Sequence, residues 1–239
     1  MNNIMPVFDC HVHIDNDLSA YDLKGVKQYN IIFNSIDSYL QHKINLPHNS
    51  SVSLIFDWKN NLDFVLNEIE SNRVQVLKFH SRIQKIKKEE YTVFAEKLNL
   101  VNPSVPVIID AFYFGAEMEF QPCLESIISV IKKHPQRKFI IAHSGGYEVL
   151  KYFFHLREIK NVYYDLSLSL QYLNDTSRYQ DLIKLIKYTD KTKLLFGSDY
   201  HYGSPKQQLN YLLSIFDQLS ISDADQQNIL YNNSKQLFG

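Results

Sequence analysis

The chain has 239 residues, 45% of them hydrophobic, and 25 Lys and Arg against 26 Asp and Glu leave a net charge of −1. That length suits a single α/β barrel of about 250 residues, and the near-zero charge gives no electrostatic reason to expect nucleic acid or an anionic membrane as partner. The two cysteines, Cys10 and Cys123, lack CxxC spacing, which argues against a disulfide or thiolate–zinc framework; no basic n-region with a long apolar core opens the chain, and a cytoplasmic protein is expected.

In chain order, apolar strand-like runs alternate with helix-period segments. Val7–His11 opens the series, followed by Asn30–Ser35, Val52–Phe56 and Val74–His80. Leu62, Val65, Leu66 and Ile69 share a helical face between the third and fourth runs, and Tyr91, Phe94, Ala95 and Leu98 share one after the fourth. Val107–Asp110 is the fifth run, with Pro122 then opening a helix striped by Leu124, Ile127, Ile128 and Ile131. Phe139–His143 is the sixth, and Gly145-Gly146 turns the chain into a helix carrying Val149, Leu150 and Phe153. Val162–Leu166 and Leu194–Phe196 complete the strands, with Pro205 and Ser222 as helix starts near the end. Strands alternating with helices imply a parallel sheet, and eight such units favour one closed (β/α)8 TIM-type barrel over residues 1–239, with a doubly wound open sheet as the alternative.

The strand ends carry the chemistry. Asp9, His11 and His13 fall at every second position, so strict alternation aims them at one face, where two imidazoles can grip a metal ion. His80, Asp110, His143, Asp165 and Asp199 close five later runs. A barrel brings all these C-terminal ends to one face, so residues far apart in sequence meet in space.

Taken together, Asp9-Cys-His11-Val-His13, Lys78-Phe-His80, His143-Ser-Gly-Gly, Gly197-Ser-Asp199-Tyr and the closing Asn232–Gly239 segment resemble the amidohydrolase superfamily. The nearest branch is its amidohydrolase 2 group of metal-dependent hydrolases and decarboxylases. The resemblance implies one divalent metal ion, usually zinc, held by His11 and His13 with Asp199 touching the metal or its water, and His143 polarising the substrate or moving protons. The group's fifth strand usually ends in a ligand histidine; this chain has Asp110, whose carboxylate can bind zinc in that place.

Zinc with an open position lowers the pKa of its water to roughly 7, Asp199 can take the proton as that water attacks a carbonyl, and a protonated His143 can stabilise the oxyanion. Arg82 is placed to bind a substrate carboxylate, while His80, His201 and Tyr113 are expected on the substrate side, with Phe114 beside Tyr113 lining the pocket. The expected function is hydrolysis of a small carbonyl compound such as a lactone, an amide or a carboxylated ring. A decarboxylase on the same scaffold and a non-catalytic barrel that has lost full ligation are the alternatives. Lys78 and Gly197-Ser-Asp199 depart from a TatD-like nuclease, and the expected partner is a small molecule, with oligomeric state left open.

Overall fold

In the computed structural model, residues 5–14, 21, 23 and 25–239 are described; most of the N-terminal stretch read for a targeting signal lies outside them. Eight strands pair in parallel in sequence order: β1 (Val7–His13), β2 (Val26–Phe33), β3 (Ser50–Ile55), β4 (Val76–Phe79), β5 (Val107–Ile109), β6 (Phe139–Ile141), β7 (Val162–Asp165) and β8 (Leu194–Leu195). The chain beyond β8 returns to β1: Cys10 N donates to Phe196 O at 3.0 Å, Asp199 N donates to His11 O at 2.8 Å, and Val12 bridges to Tyr200. The ring thereby closes into the expected barrel. No helix among the described residues is long and apolar enough to cross a membrane.

β5 and β6 read Val-Ile-Ile and Phe-Ile-Ile because both faces of a barrel strand are covered. One face packs under the helices: Leu77, Phe79, Ile109 and Ile141 join Val65, Phe94, Ile127 and Phe153. The other fills the barrel floor, where Phe8, Cys10, Ile32, Val76, Ile108, Ile140 and Leu195 meet Leu237 and Phe238. Two residues further along the same inner face, Val76 gives way to Lys78 and His80, and Ile108 to Asp110. The apolar plug ends there and the polar cavity begins.

Two local readings change. On β1, Asp9 pairs with Tyr29 and His13 with Ile32, so four steps on one strand match three on the other. The extra residue is a bulge that puts Asp9 out of phase with His13. Asp9 accepts instead from Tyr21 Oη (2.6 Å), Ser198 N (2.9 Å) and His11 N (3.2 Å), and burial pushes its carboxyl up to about 6. Pro122 does not start the next helix: Cys123 is extended (φ −112°, ψ 103°), and the helix runs Leu124–Lys133. Pro205 and Ser222 behave as read, with Ser204 and Ser222 hydroxyls accepting from Gln207 N and Asp225 N.

One buried carboxylate ties the outer layer. Glu68 accepts from Arg73 Nε (2.7 Å), Arg73 Nη2 (2.8 Å) and Tyr39 Oη (2.5 Å). The Arg73 hydrogen bonds are the main reason its pKa lies below the ordinary value, so its stabilisation is present above the unfolded pKa near 4.5 and is lost as pH falls through the lower folded value. Glu68→Gln is therefore expected to lower the melting temperature at pH 7, with the gap to wild type narrowing as thermal scans are moved below about pH 4.5.

Candidate metal centre and active site

His11 and His13 leave β1 on the inner side above the bulge. His11 Nδ1 lies 2.5 Å from Asp165 Oδ2 at the end of β7 and 3.2 Å from Ser167 Oγ. Ser167 Oγ donates to Asp165 Oδ2 at 2.8 Å, and Ser167 N donates to Asp165 Oδ1 at 2.8 Å. The hydroxyl proton is thus committed to Asp165, and the oxygen's lone pairs remain to accept from imidazoles. Burial, with Lys78 adding to it, pushes the His11 pKa well below the ordinary value, so the ring is neutral with its proton on Nδ1.

Two further histidines are tied the same way. His13 Nδ1 donates to Ile32 O at 3.1 Å, and His143 Nδ1 donates to Ser167 O at 3.2 Å, with Ser167 Oγ at 3.1 Å. A carbonyl oxygen can only accept, which fixes the proton on Nδ1 in both rings. In the neutral ring each would turn an Nε2 lone pair inward. Asp199 Oδ1 lies 3.2 Å from His11 Nε2 and 3.4 Å from His13 Nε2, contacts between acceptors that a cation between them would relieve. His11, His143 and Asp199 each offer a ligand atom within 4.8 Å of the others. Neutral imidazoles oriented by oxygen acceptors beside one carboxylate fit a zinc-like divalent ion.

The backbone that delivers these groups is strained. His143 (φ 55°), Ser144 (φ 51°) and Asp199 (φ 57°) sit in the left-handed region. Gly145 follows at φ 90°, where a Cβ would come within 2.4 Å of the Tyr152 ring. Ser144 Oγ donates to Asp165 O at 2.9 Å, and the Ser169 hydroxyl donates to the His143 carbonyl, so the segment is held from two directions.

The family model for amidohydrolases matches residues 89–239. The chain belongs to the amidohydrolase family. Solved structures share the amidohydrolase barrel at low identity. An uncharacterised TIM-barrel protein from Bordetella bronchiseptica is 14% identical, with TM-score 0.73 over 97% of this chain and 98% of that one. A putative 2-pyrone-4,6-dicarboxylic acid hydrolase from Pseudomonas putida is 14% identical (TM-score 0.61; 99% and 98% covered). A 2,6-dihydroxybenzoate decarboxylase from Rhizobium is 12% identical (TM-score 0.67; 98% and 99% covered). No curated protein sequence matches the chain.

In this amidohydrolase the histidines and Asp199 border a cavity of about 420 Å³ whose wall also holds Lys78, His80, Arg82 and Asp110. Asp110, expected as a ligand, keeps other company: its carboxylate lies 3.2 Å from Arg82 Nη2, 3.7 Å from His80 Nε2 and 3.6 Å from His143 Nε2. Burial alone would raise its pKa, but His80, His143, Lys78 and Arg82 together hold it below the ordinary carboxylate range. Lys78 is buried with Nζ 3.5 Å from His11 Nε2, and burial lowers its pKa; burial lowers His80 to about 3.

Two expected substrate residues stand off the cavity wall. Tyr113 Oη donates to Pro122 O at 2.5 Å, and His201 is exposed with its ring 4.3 Å from that of Tyr202. Past β5, residues 112 and 114 flank Tyr113 in sequence, and it is Phe112 and Phe114 that line the cavity, with Tyr172 and Tyr202 completing an aromatic rim. Asp165 and Ser167 were not assigned roles from sequence; a carboxylate at a barrel-strand end followed two residues later by Ser is the signal that was there to use.

Gly197 sits where the site is tightest: a Cβ there would meet Asp165 Oδ1 at 2.6 Å and His11 Cβ at 3.0 Å. Gly197→Ala is expected to displace the Asp165–His11 pair and lower stability by about 1–3 kcal/mol, read by thermal unfolding. A melting temperature unchanged from wild type would show that the pair is not so constrained.

Proposed function

We propose that this amidohydrolase uses a divalent metal ion to hydrolyse a small carboxylated carbonyl compound, a lactone, amide or ring acid. The observation that carries the reading is the set of inward Nε2 lone pairs gathered around Asp199 at the floor of the cavity. In it, His11, His13 and Asp199 hold the ion, and His143 closes the set on the other side, its ring centroid 4.9 Å from that of His11. When bound, such an ion brings the pKa of a water it contacts to about 7 and draws electron density from a carbonyl oxygen.

The chain's own groups supply the rest. Asp199, held ionised, accepts the proton of the attacking water through its carboxylate. Asp199 then returns that proton to the leaving group, while His143, with Nδ1 committed to Ser167, presents Nε2 to the cavity. Arg82 binds the substrate carboxylate, and Lys78 adds positive potential beside it. The rim of Phe112, Phe114, Tyr172 and Tyr202 shuts water away from a flat substrate.

Decarboxylation of an aromatic acid is the second reading, favoured by that aromatic rim, since the same residues can hold a ring carboxylate beside the ion while carbon dioxide leaves. Elemental analysis of protein purified without chelator, paired with a screen of lactones, amides and aromatic acids, tests both. The expected result is about one equivalent of a divalent metal and turnover lost by about 100-fold or more in His11→Ala, with carbon dioxide release marking the decarboxylase. Metal-free wild-type protein, and a His11→Ala variant as active as wild type, would overturn the proposal. Arg82→Ala is expected to raise KM for a carboxylated substrate about tenfold, or about 1.4 kcal/mol of lost binding, and an unchanged KM removes Arg82 from substrate recognition.

A further inference from the structure

The cavity floor divides into two halves that differ in which atoms face which. Around Asp199 the nearest ring nitrogens are Nε2 of His11 and His13, because Nδ1 of each ring faces an oxygen acceptor, and Lys78 Nζ lies 3.5 Å from His11 Nε2. Around Asp110 the pattern is reversed. His80 caps the short helix Ser81–Gln84, its Nδ1 accepting from Ile83 N at 3.4 Å, which puts the ring proton on Nε2. That Nε2–H points towards Asp110 Oδ1 at 3.7 Å, and Arg82 Nη2 donates to Asp110 Oδ2 at 3.2 Å. Arg82 donates to one oxygen of Asp110, and the other lies near Nε2 of both His80 (3.7 Å) and His143 (3.6 Å). A carboxylate that already accepts from a guanidinium, and that stands apart from the His11, His143 and Asp199 ligand atoms, is a poor partner for a metal ion.

Arg82 itself is held on two sides. Its guanidinium carbon lies 5.9 Å from the Phe114 ring centroid, and Asp110 takes one corner of the fork. Its Nε is buried without a hydrogen-bond partner in the protein, although the residue lines the cavity. The guanidinium has further donors beyond the one Asp110 takes, and the residue lines the cavity, so an acceptor bound there has donors to meet.

We infer that Asp110 is a positioning residue for Arg82 and not a metal ligand: it anchors one corner of the guanidinium so that the remaining donors are held for the carboxylate of the substrate. The fifth-strand position has thereby passed from the cation half of the site to the anion half. Naming a carboxylate as the occupant rests on the proposed function; the Asp110–Arg82 clamp does not.

The clamp is tested by amide-type NMR of the arginine Nε–H groups in ¹⁵N-labelled protein, together with zinc titration. The Arg82 resonance is the one absent from Arg82→Lys; it is expected to shift on adding benzoate and to broaden or move in Asp110→Ala, with Asp110→Asn serving if the alanine variant does not fold. Zinc affinity in either Asp110 variant is expected to stay within about twofold of wild type, while His11→Ala loses it. A loss of zinc affinity of about tenfold or more in the Asp110 variants makes Asp110 a ligand and overturns the inference. So does an Arg82 resonance that ignores both benzoate and the Asp110 substitutions. Wild-type protein that binds no zinc sinks the proposed function instead, and the resonance alone then decides the clamp.

Discussion

The 2.5 Å contact between Asp165 and His11 is the interaction on which the site depends. It joins the first strand to the seventh, commits the His11 proton to Nδ1 and so aims the Nε2 lone pair at Asp199. Ser167 extends the same logic to His143, because its hydroxyl gives its proton to Asp165 and accepts from both rings. A buried carboxylate and one hydroxyl thus set the protonation of two imidazoles without any net charge on either. Gly197 exists at its position because any side chain there would push into this pair.

The barrel makes this arrangement affordable by separating apolar from polar along one inner face. Below Lys78 and Asp110 the interior is an apolar plug closed by Leu237 and Phe238; above it the ends of β1, β2, β4, β5, β6 and β8 contribute polar groups to the cavity wall. Buried charge is tolerated in the upper layer because each group has partners of opposite character nearby: Asp110 has Arg82 and His80, and Lys78 is balanced by Asp110, Asp199 and Asp165. The strained backbone at His143 and Asp199 is held by the same network, through Ser144, Ser169 and the Asp199–His11 backbone bond.

Much of this was legible in the sequence because a barrel strand announces itself twice, by a run of apolar residues buried on both faces and by the polar residue that ends it. Val107–Asp110 and Phe139–His143 show both signals, and the order of eight such runs implied closure. What alternation could not reveal was the bulge in β1, since a one-residue insertion leaves the His-x-His spacing intact while turning Asp9 away. Nor could spacing say which nitrogen of a histidine is free. That depends on carbonyls such as Ile32 O and Ser167 O, supplied by distant strands and carrying no side-chain identity. The same gap covers Asp110: its type suits a ligand, and its hydrogen bond from Arg82 comes from a residue 28 positions away that the strand pattern does not connect to it. Tyr113 and His201 lie in loops, whose side-chain directions no period in the sequence sets, and neither lines the cavity.

The central claim is that lone pairs of His11, His13 and His143, with the carboxylate of Asp199, gather around a cation. Anomalous diffraction at the zinc edge from crystals grown with zinc tests it most directly. The account predicts a single strong peak at about 2.0–2.2 Å from His11 Nε2 and an Asp199 oxygen, with Asp110 outside bonding range. A peak bonded to Asp110 and not to His11, or no peak in the cavity at all, would contradict it.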